Sequence, residues 1–169
     1  FNVEGYKKTF APVVSNDLIY NNEVFAVSYG IPTLGLFYNT DKFSAQGLLE
    51  APKTWQELLD VNAKLVKKQG NGLLASGIAL GTPNISSAAN MLQNGAVMTD
   101  TPPSKATFDK PSSDNYPASS KALDFYTSFA KPNKSSYSWS DGFGNDIKAF
   151  EQAKTAMIID FPFRYNQIK

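Results

Sequence analysis

Neither histidine nor cysteine occurs anywhere in the 169 residues. Metal sites built on imidazole or thiolate are therefore excluded, as are disulfides, iron–sulfur ligation and the Ser-His and Cys-His forms of nucleophilic catalysis. A chain free of cysteine suits an exported bacterial protein. Arginine is nearly absent too. Arg164 is the sole one, all other basic residues are lysine, and 16 basic residues against 15 acidic ones leave a formal charge of +1. So balanced a chain is a poor nucleic-acid binder, because neutralising phosphates takes clustered cations. No run approaches the roughly 20 apolar residues of a membrane span. Charged residues make up only 18%, but apolar ones reach 42%, more than a disordered chain carries. A single ordinary domain of this size buries roughly 70% of its unfolded surface. What the chain has in abundance is flat aromatic surface: 12 Phe, 8 Tyr and 2 Trp, serving either a core or a stacking site. It opens at Phe1 without a visible leader, the start expected of a mature or truncated form.

Two apolar periods alternate along the chain. Val3, Tyr6 and Phe10 fall at helical spacing in a short opening stretch. Residues 16–23 read as a turn, and 24–29 (VFAVSY) as a strand by their β-branched and aromatic content. Gly30-Ile31-Pro32 breaks it, and 33–38 (TLGLFY) reads as a second strand. Asn39-Thr40-Asp41 opens a short helix toward Gln46, which Gly47 stops.

The clearest helix covers 54–69. Thr54 and Glu57 make the S/T-x-x-E capping box, and Leu58, Leu59, Asn62, Leu65 and Val66 form one face. Lysines crowd the last turn and Gly70 ends it. Residues 75–80 (ASGIAL) fit a short buried strand, and Gly81-Thr82-Pro83-Asn84 is a loop opening a helix over 86–93. Residues 99–119 are irregular and hold four prolines, with a short extended piece at 106–108. A helix over 120–130 places Leu123, Tyr126 and Phe129 on one side and stops before Pro132. An aromatic loop follows at 135–144. After it come a short helix over 145–152 capped by Asn145 and a buried strand over 155–160 (TAMIID). Strands alternating with helices predict an α/β layered fold.

Three segments in this order resemble a known family. They are Val27-Ser28-Tyr29-Gly30-Ile31-Pro32 running on to Leu34-Gly35-Leu36-Phe37-Tyr38-Asn39-Thr40-Asp41-Lys42-Phe43, then Pro52-Lys53-Thr54-Trp55-Gln56-Glu57-Leu58, and last the stretch from Ala149-Phe150 through Ala156-Met157-Ile158-Ile159. Together they resemble the extracytoplasmic solute-binding proteins of ABC importers, in the branch that includes the maltose-binding protein. The resemblance implies a type II periplasmic-binding-protein-like α/β fold, with two lobes closing on a small solute, typically a sugar or oligosaccharide. It implies a receptor rather than an enzyme, no cofactor, and delivery of the solute to ABC permease subunits. It also implies a monomer in the periplasm or on the cell surface as a lipoprotein. On this basis the chain is expected to be a fragment, mainly one lobe. Residues 1–32 would end the first lobe and approach the hinge, and 33–169 would form the second lobe, incomplete at its C-terminus. The hinge falls on Gly30, Ile31, Pro32 and Thr33.

Two departures from the family pattern bear on the chemistry. The family usually has glycine where Ala153 stands, at a helix end that favours the left-handed conformation. Alanine there costs about 1 kcal/mol if that conformation is kept, a different turn being the alternative. The family's common G-P-W after the last strand is here Phe161-Pro162-Phe163. Aromatic character stays but the indole N–H is lost, a change that bears on the family's usual sugar specificity.

Sugars present apolar C–H faces and many hydroxyls, so their sites want flat aromatics beside short polar side chains. Phe163 and Tyr165 follow a strand whose carboxyl end should reach the lobe surface, where α/β sheets bind ligands. Each is either a stacking platform or a core residue. Thr82 and Asn84 align with a ligand-contacting loop of the family and are otherwise turn or cap residues. Trp139, flanked by Ser138, Ser140 and Asp141, is either a stacking platform or a core anchor; Trp55 reads as packing. A glycosidase would instead need two carboxylates about 5 to 10 Å apart, and no motif marks such a pair. A non-catalytic surface module binding a protein or polymer through the aromatic loop is the third possibility.

Overall fold

The computed structural model describes residues 2–31, 33–70, 72–80, 94–99, 105–111 and 115–168. The chain divides into two compact units, Phe1–Leu34 and Gly35–Lys169.

In the first unit, helices α1 (Val3–Thr9) and α2 (Pro12–Leu18) precede a two-stranded hairpin of β1 (Ile19–Tyr20) and β2 (Glu23–Val24). The Asn2 side chain caps α1 by accepting the Gly5 N–H at 2.6 Å. Tyr6 is fully buried and stacks on Phe10, with ring centroids 4.4 Å apart. Asn21 and Asn22 both hold positive φ, 49° and 61°, as a tight hairpin turn requires. The turn expected over 16–23 is therefore confined to its last residues, because α2 runs through Leu18. The strand expected over 24–29 is shorter still. Only Val24 pairs, and Phe25, Val27 and Tyr29 stand exposed. β-Branched and aromatic residues favour a strand only where a partner strand completes the ladder.

The second unit is built on a four-stranded sheet in the order β3-β6-β5-β4. Its strands are β3 (Gly35–Tyr38), β4 (Lys67–Gln69), β5 (Gly72–Ala79) and β6 (Thr155–Asp160). β6 runs antiparallel to β3, with Gly35 opposite Asp160 and Tyr38 opposite Met157. It runs parallel to β5, with Ser76 beside Thr155 and Ala79 beside Ile158. β3 starts later than expected, at Gly35. Helix α3 (Thr40–Ala45) follows it, capped by the Asn39 side chain on the Lys42 N–H at 3.0 Å and stopped by Gly47 at φ 66°.

Helix α4 (Trp55–Leu65) carries the expected cap: Thr54 Oγ1 accepts the Glu57 N–H at 3.2 Å. Glu57 reaches back one residue further than the usual box, accepting the Lys53 N–H at 2.7 Å. The helix ends at Leu65, not at Gly70. Lys67–Gln69 instead pair with β5 as an edge strand, and Gly70, at φ 57°, belongs to the turn that follows. Lysine favours helices only weakly, and a ladder of hydrogen bonds overrides it. Lysines on an edge strand also discourage pairing with other chains.

Leu58, Val61 and Leu65 of α4 pack with Phe43, Ile78, Leu80, Phe129, Ala156 and Met157 in one core. Asn62 sits fully buried on that apolar face because its Nδ2 donates to the Ser136 carbonyl at 3.0 Å. Opposite it only glycine fits: a Cβ on Gly77 would lie 2.8 Å from the Asn62 carbonyl oxygen. Helix α5 (Ala118–Ser128) starts two residues earlier than expected and turns Ala118, Ala122 and Phe125 inward, leaving Leu123 exposed. Trp55 is a packing residue, stacked on Phe125 at 4.3 Å and 14°. Helix α6 (Asp146–Glu151), capped by Asn145, packs on β6, and a short helix α7 (Tyr165–Ile168) follows that strand. The helix expected over 86–93 lies outside the described residues.

Candidate functional site

The parallel register of β5 and β6 puts their carboxyl ends at one edge of the sheet, where β3 also begins. Loops at such ends are where α/β sheets place ligands. β6 ends in Asp160, and the chain turns at once through Phe161 into a single 3-10 turn, Pro162–Arg164. Proline at the first position of that turn has its φ pre-set and no N–H to leave unpaired. The short turn cannot bury its side chains, so Phe163 is 69% exposed and Tyr165 55%. Phe163 stacks on the half-buried Phe161 at 5.4 Å with ring planes 10° apart. The two rings form a ledge.

Asp160, the last residue of β6, is only 7% exposed. Its Oδ1 accepts the Phe161 N–H at 2.7 Å, and its Oδ2 is 3.7 Å from Arg164 Nε. The Arg164 guanidinium carbon stands 5.6 Å from the Phe163 ring centre, and its Nη1 donates to Gln167 Oε1 at 2.8 Å. One buried carboxylate thus ties down both the start and the end of the ledge turn. At the neighbouring strand end, the Tyr126 hydroxyl donates to the Leu80 carbonyl at 2.8 Å. Burial, and secondarily the negative charge of Asp146, holds that hydroxyl's pKa above its ordinary value.

Trp139 belongs to a different part of the unit. Its backbone N–H and that of Ser138 both donate to the Phe129 carbonyl, and its half-buried ring stacks on Phe143 at 5.3 Å and 22°. Next to it, the fully buried Ser138 hydroxyl accepts the N–H groups of Gly77 and Ile78 at 2.9 and 3.0 Å and fixes the loop to β5. The structure therefore brings Phe163 together with Phe161 and Arg164, and seats Trp139 against Phe143. Thr82 and Asn84 lie outside the described residues, as does Pro32. Gly30, Ile31 and Thr33 are exposed and outside any helix or strand.

Sequence reasoning missed Asp160, Arg164 and Tyr126. The i, i+4 spacing of Asp160 and Arg164, across the end of a strand, was the available signal. Among the described residues no group of acidic side chains forms a metal site, and no helix is long and apolar enough to cross a membrane.

The family model for the bacterial extracellular solute-binding protein matches residues 1–169. No curated protein matches the chain. Among solved structures, an ABC substrate-binding protein from Listeria monocytogenes in complex with cycloalternan is 16% identical, with a TM-score of 0.74 over 96% of this chain and 40% of its own. An ABC transporter solute-binding protein from Thermotoga lettingae, bound with α-D-tagatose, is 23% identical, with a TM-score of 0.66 over 98% of this chain and 43% of its own. The GacH receptor of Streptomyces glaucescens, solved unliganded and with acarbose, is 24% identical, with a TM-score of 0.69 over 94% of this chain and 38% of its own. At these identities the likeness is one of fold. The chain spans about 40% of the length of these structures.

Proposed function

Because this chain belongs to the bacterial extracellular solute-binding protein family over residues 1–169, we propose that it is part of a non-enzymatic receptor that captures a sugar or oligosaccharide and hands it to an ABC permease. The observation that carries the reading is the ledge: the largely exposed Phe163 ring stacked on the half-buried Phe161 at the carboxyl end of the central strand β6. A flat, largely exposed ring matches the apolar C–H face of a pyranose. The sugars bound by the Listeria and Thermotoga proteins support the same class of solute.

In this reading Phe163 and Tyr165 stack on the solute. Trp139 is a further contact, and Thr82 and Asn84 supply polar ones. Gly30, Ile31, Pro32 and Thr33 form the hinge between two lobes, the second lobe beginning at Thr33. Pro32 has a fixed φ, so rotation falls on its neighbours. The protein works outside the cytoplasm, in the periplasm or anchored as a lipoprotein, as a monomer, with no nucleic-acid partner.

Titration calorimetry of a panel of mono- and oligosaccharides against the whole protein carrying this chain tests the reading. At least one sugar should bind, and Phe163→Ala should weaken it by about 1–3 kcal/mol, the scale of a lost stacking contact with its buried area. If Phe163→Ala lowers only the melting temperature, the ring is structural and the ledge is not the site. Hydrolysis of labelled glycans at an enzymatic rate would replace the receptor with a glycosidase.

A further inference from the structure

We propose that Arg164 makes the ledge selective for acidic sugars, those with a carboxylate on the ring, over their neutral counterparts. The inference rests on the receptor reading and adds the solute's charge class to it.

Arg164 is the only arginine in a chain whose other basic residues are all lysine. Its planar fork recognises a carboxylate bidentately, which a lysine ammonium cannot do. It also lies over the Phe163 ring in a cation–π contact, its guanidinium carbon 5.6 Å from the ring centre, so it borders whatever stacks on the exposed ledge.

Few of its donors are used. Nη1 bonds Gln167 Oε1 at 2.8 Å. Nε is buried and faces Asp160 Oδ2 at 3.7 Å, so the outer edge of the fork is what a solute meets. Nη2 has no hydrogen-bond partner among the described residues, while the side chain as a whole is 36% exposed. Asp160 pairs with the cation on its inner, Nε side only. It is buried, and its Oδ1 is committed to the Phe161 N–H. It holds the guanidinium in place and leaves the outer donors unspent. A pyranose stacked on an aromatic face carries the carboxylate of a uronic acid at the edge of its own ring. From there the group projects sideways, within reach of a cation that borders the ledge.

The test uses matched pairs: uronate oligosaccharides, and the same oligosaccharides with the carboxylate reduced to an alcohol, titrated against the whole protein carrying this chain. The wild type should bind at least one uronate tenfold or more tightly than its reduced form, with the preference shrinking as salt rises. Arg164→Gln should erase the preference, read as the ratio of the two affinities within the same variant so that any general loss from the untied turn cancels. Arg164→Lys, which keeps the charge without the fork, should keep part of the preference. Equal binding of the two forms by the wild type, a measurement that needs no variant, overturns the proposal. So does a preference that survives in Arg164→Gln. If neutral sugars bind and no uronate does, the charge class is wrong while the receptor reading stands. If no sugar of either kind binds, the receptor reading itself fails.

Discussion

Ala153 holds a left-handed backbone, φ 54°, just past the end of α6. Its N–H donates to the Phe150 carbonyl at 2.8 Å, and the Lys154 N–H to the Ala149 carbonyl at 2.7 Å, the paired bonds of a Schellman turn. The left-handed turn is therefore formed, and the alanine carries the strain a glycine would not. Ala153→Gly should stabilise the protein by about 1 kcal/mol, a rise of roughly 2–4 °C in melting temperature by calorimetry. An unchanged melting temperature would mean the strain is relieved elsewhere. Tyr126 gives the second prediction at this scale. Its raised pKa means that the unfolded chain loses the phenolic proton near pH 10 while the folded chain still holds it. Stability from this group is complete below pH 10 and falls as pH rises toward the folded value. Tyr126→Phe should cost about 1 kcal/mol at pH 7 through the lost bond to Leu80. In urea melts taken between pH 8 and 11, it should also fall less steeply than the wild type above pH 10. Identical alkaline slopes would refute the assignment. The left-handed site at Ala153 was suggested by the family resemblance, which left a different turn open; the structure keeps the left-handed one. The inward face of α5 was legible in part: Phe129 lies in the core and Tyr126 packs against it as expected, while Leu123 is exposed and Ala118, Ala122 and Phe125 turn inward as well.

At the scale of elements, the start of α4 was legible to the residue, because its signal is local. Thr54 and Glu57 satisfy the first free N–H groups with their own side chains. Thr54→Ala should lower stability by about 1 kcal/mol in thermal melts and leave solute affinity unchanged, the reverse of Phe163→Ala. A loss of affinity in Thr54→Ala would mean that the helix end reports to the site. The end of α4 was misread because its cause is remote. The lysines after Leu65 could extend a helix, but β5 offers backbone partners for Lys67, Lys68 and Gln69. Residues 25–29 are the opposite case, strand-forming in composition yet unpaired with any strand among the described residues. Gly77 could not be interpreted from sequence either. Its need for glycine comes from Asn62, fifteen positions earlier on α4, pressing against β5.

For the whole molecule, the central prediction is closure. If Gly30, Ile31, Pro32 and Thr33 hinge two lobes in the protein carrying this chain, saturating solute should reduce its radius of gyration in small-angle scattering. A solute can shift that equilibrium only by binding the closed form better. An unchanged radius, with binding confirmed by calorimetry, would remove the two-lobe mechanism and favour a static interaction surface.

The sequence alone determined the elements whose causes lie within one turn of chain: the caps at Asn39, Thr54 and Asn145, the glycine stop at Gly47, and the continuous apolar run of β6. It also excluded imidazole and thiolate chemistry outright, and its three motifs carried the family. Tertiary structure decided what depends on neighbours distant in the chain. It set β6 between β3 and β5, so that β5 and β6 pair in parallel over residues 76–79 and 155–158 and end at the same edge. It left Phe163 in solvent and seated Trp139 against Phe143. It placed Asp160 against Arg164 and the Arg164 guanidinium over the exposed Phe163 ring. Burial, stacking and the pairing of charges are properties of juxtaposition, and residue type alone does not contain them.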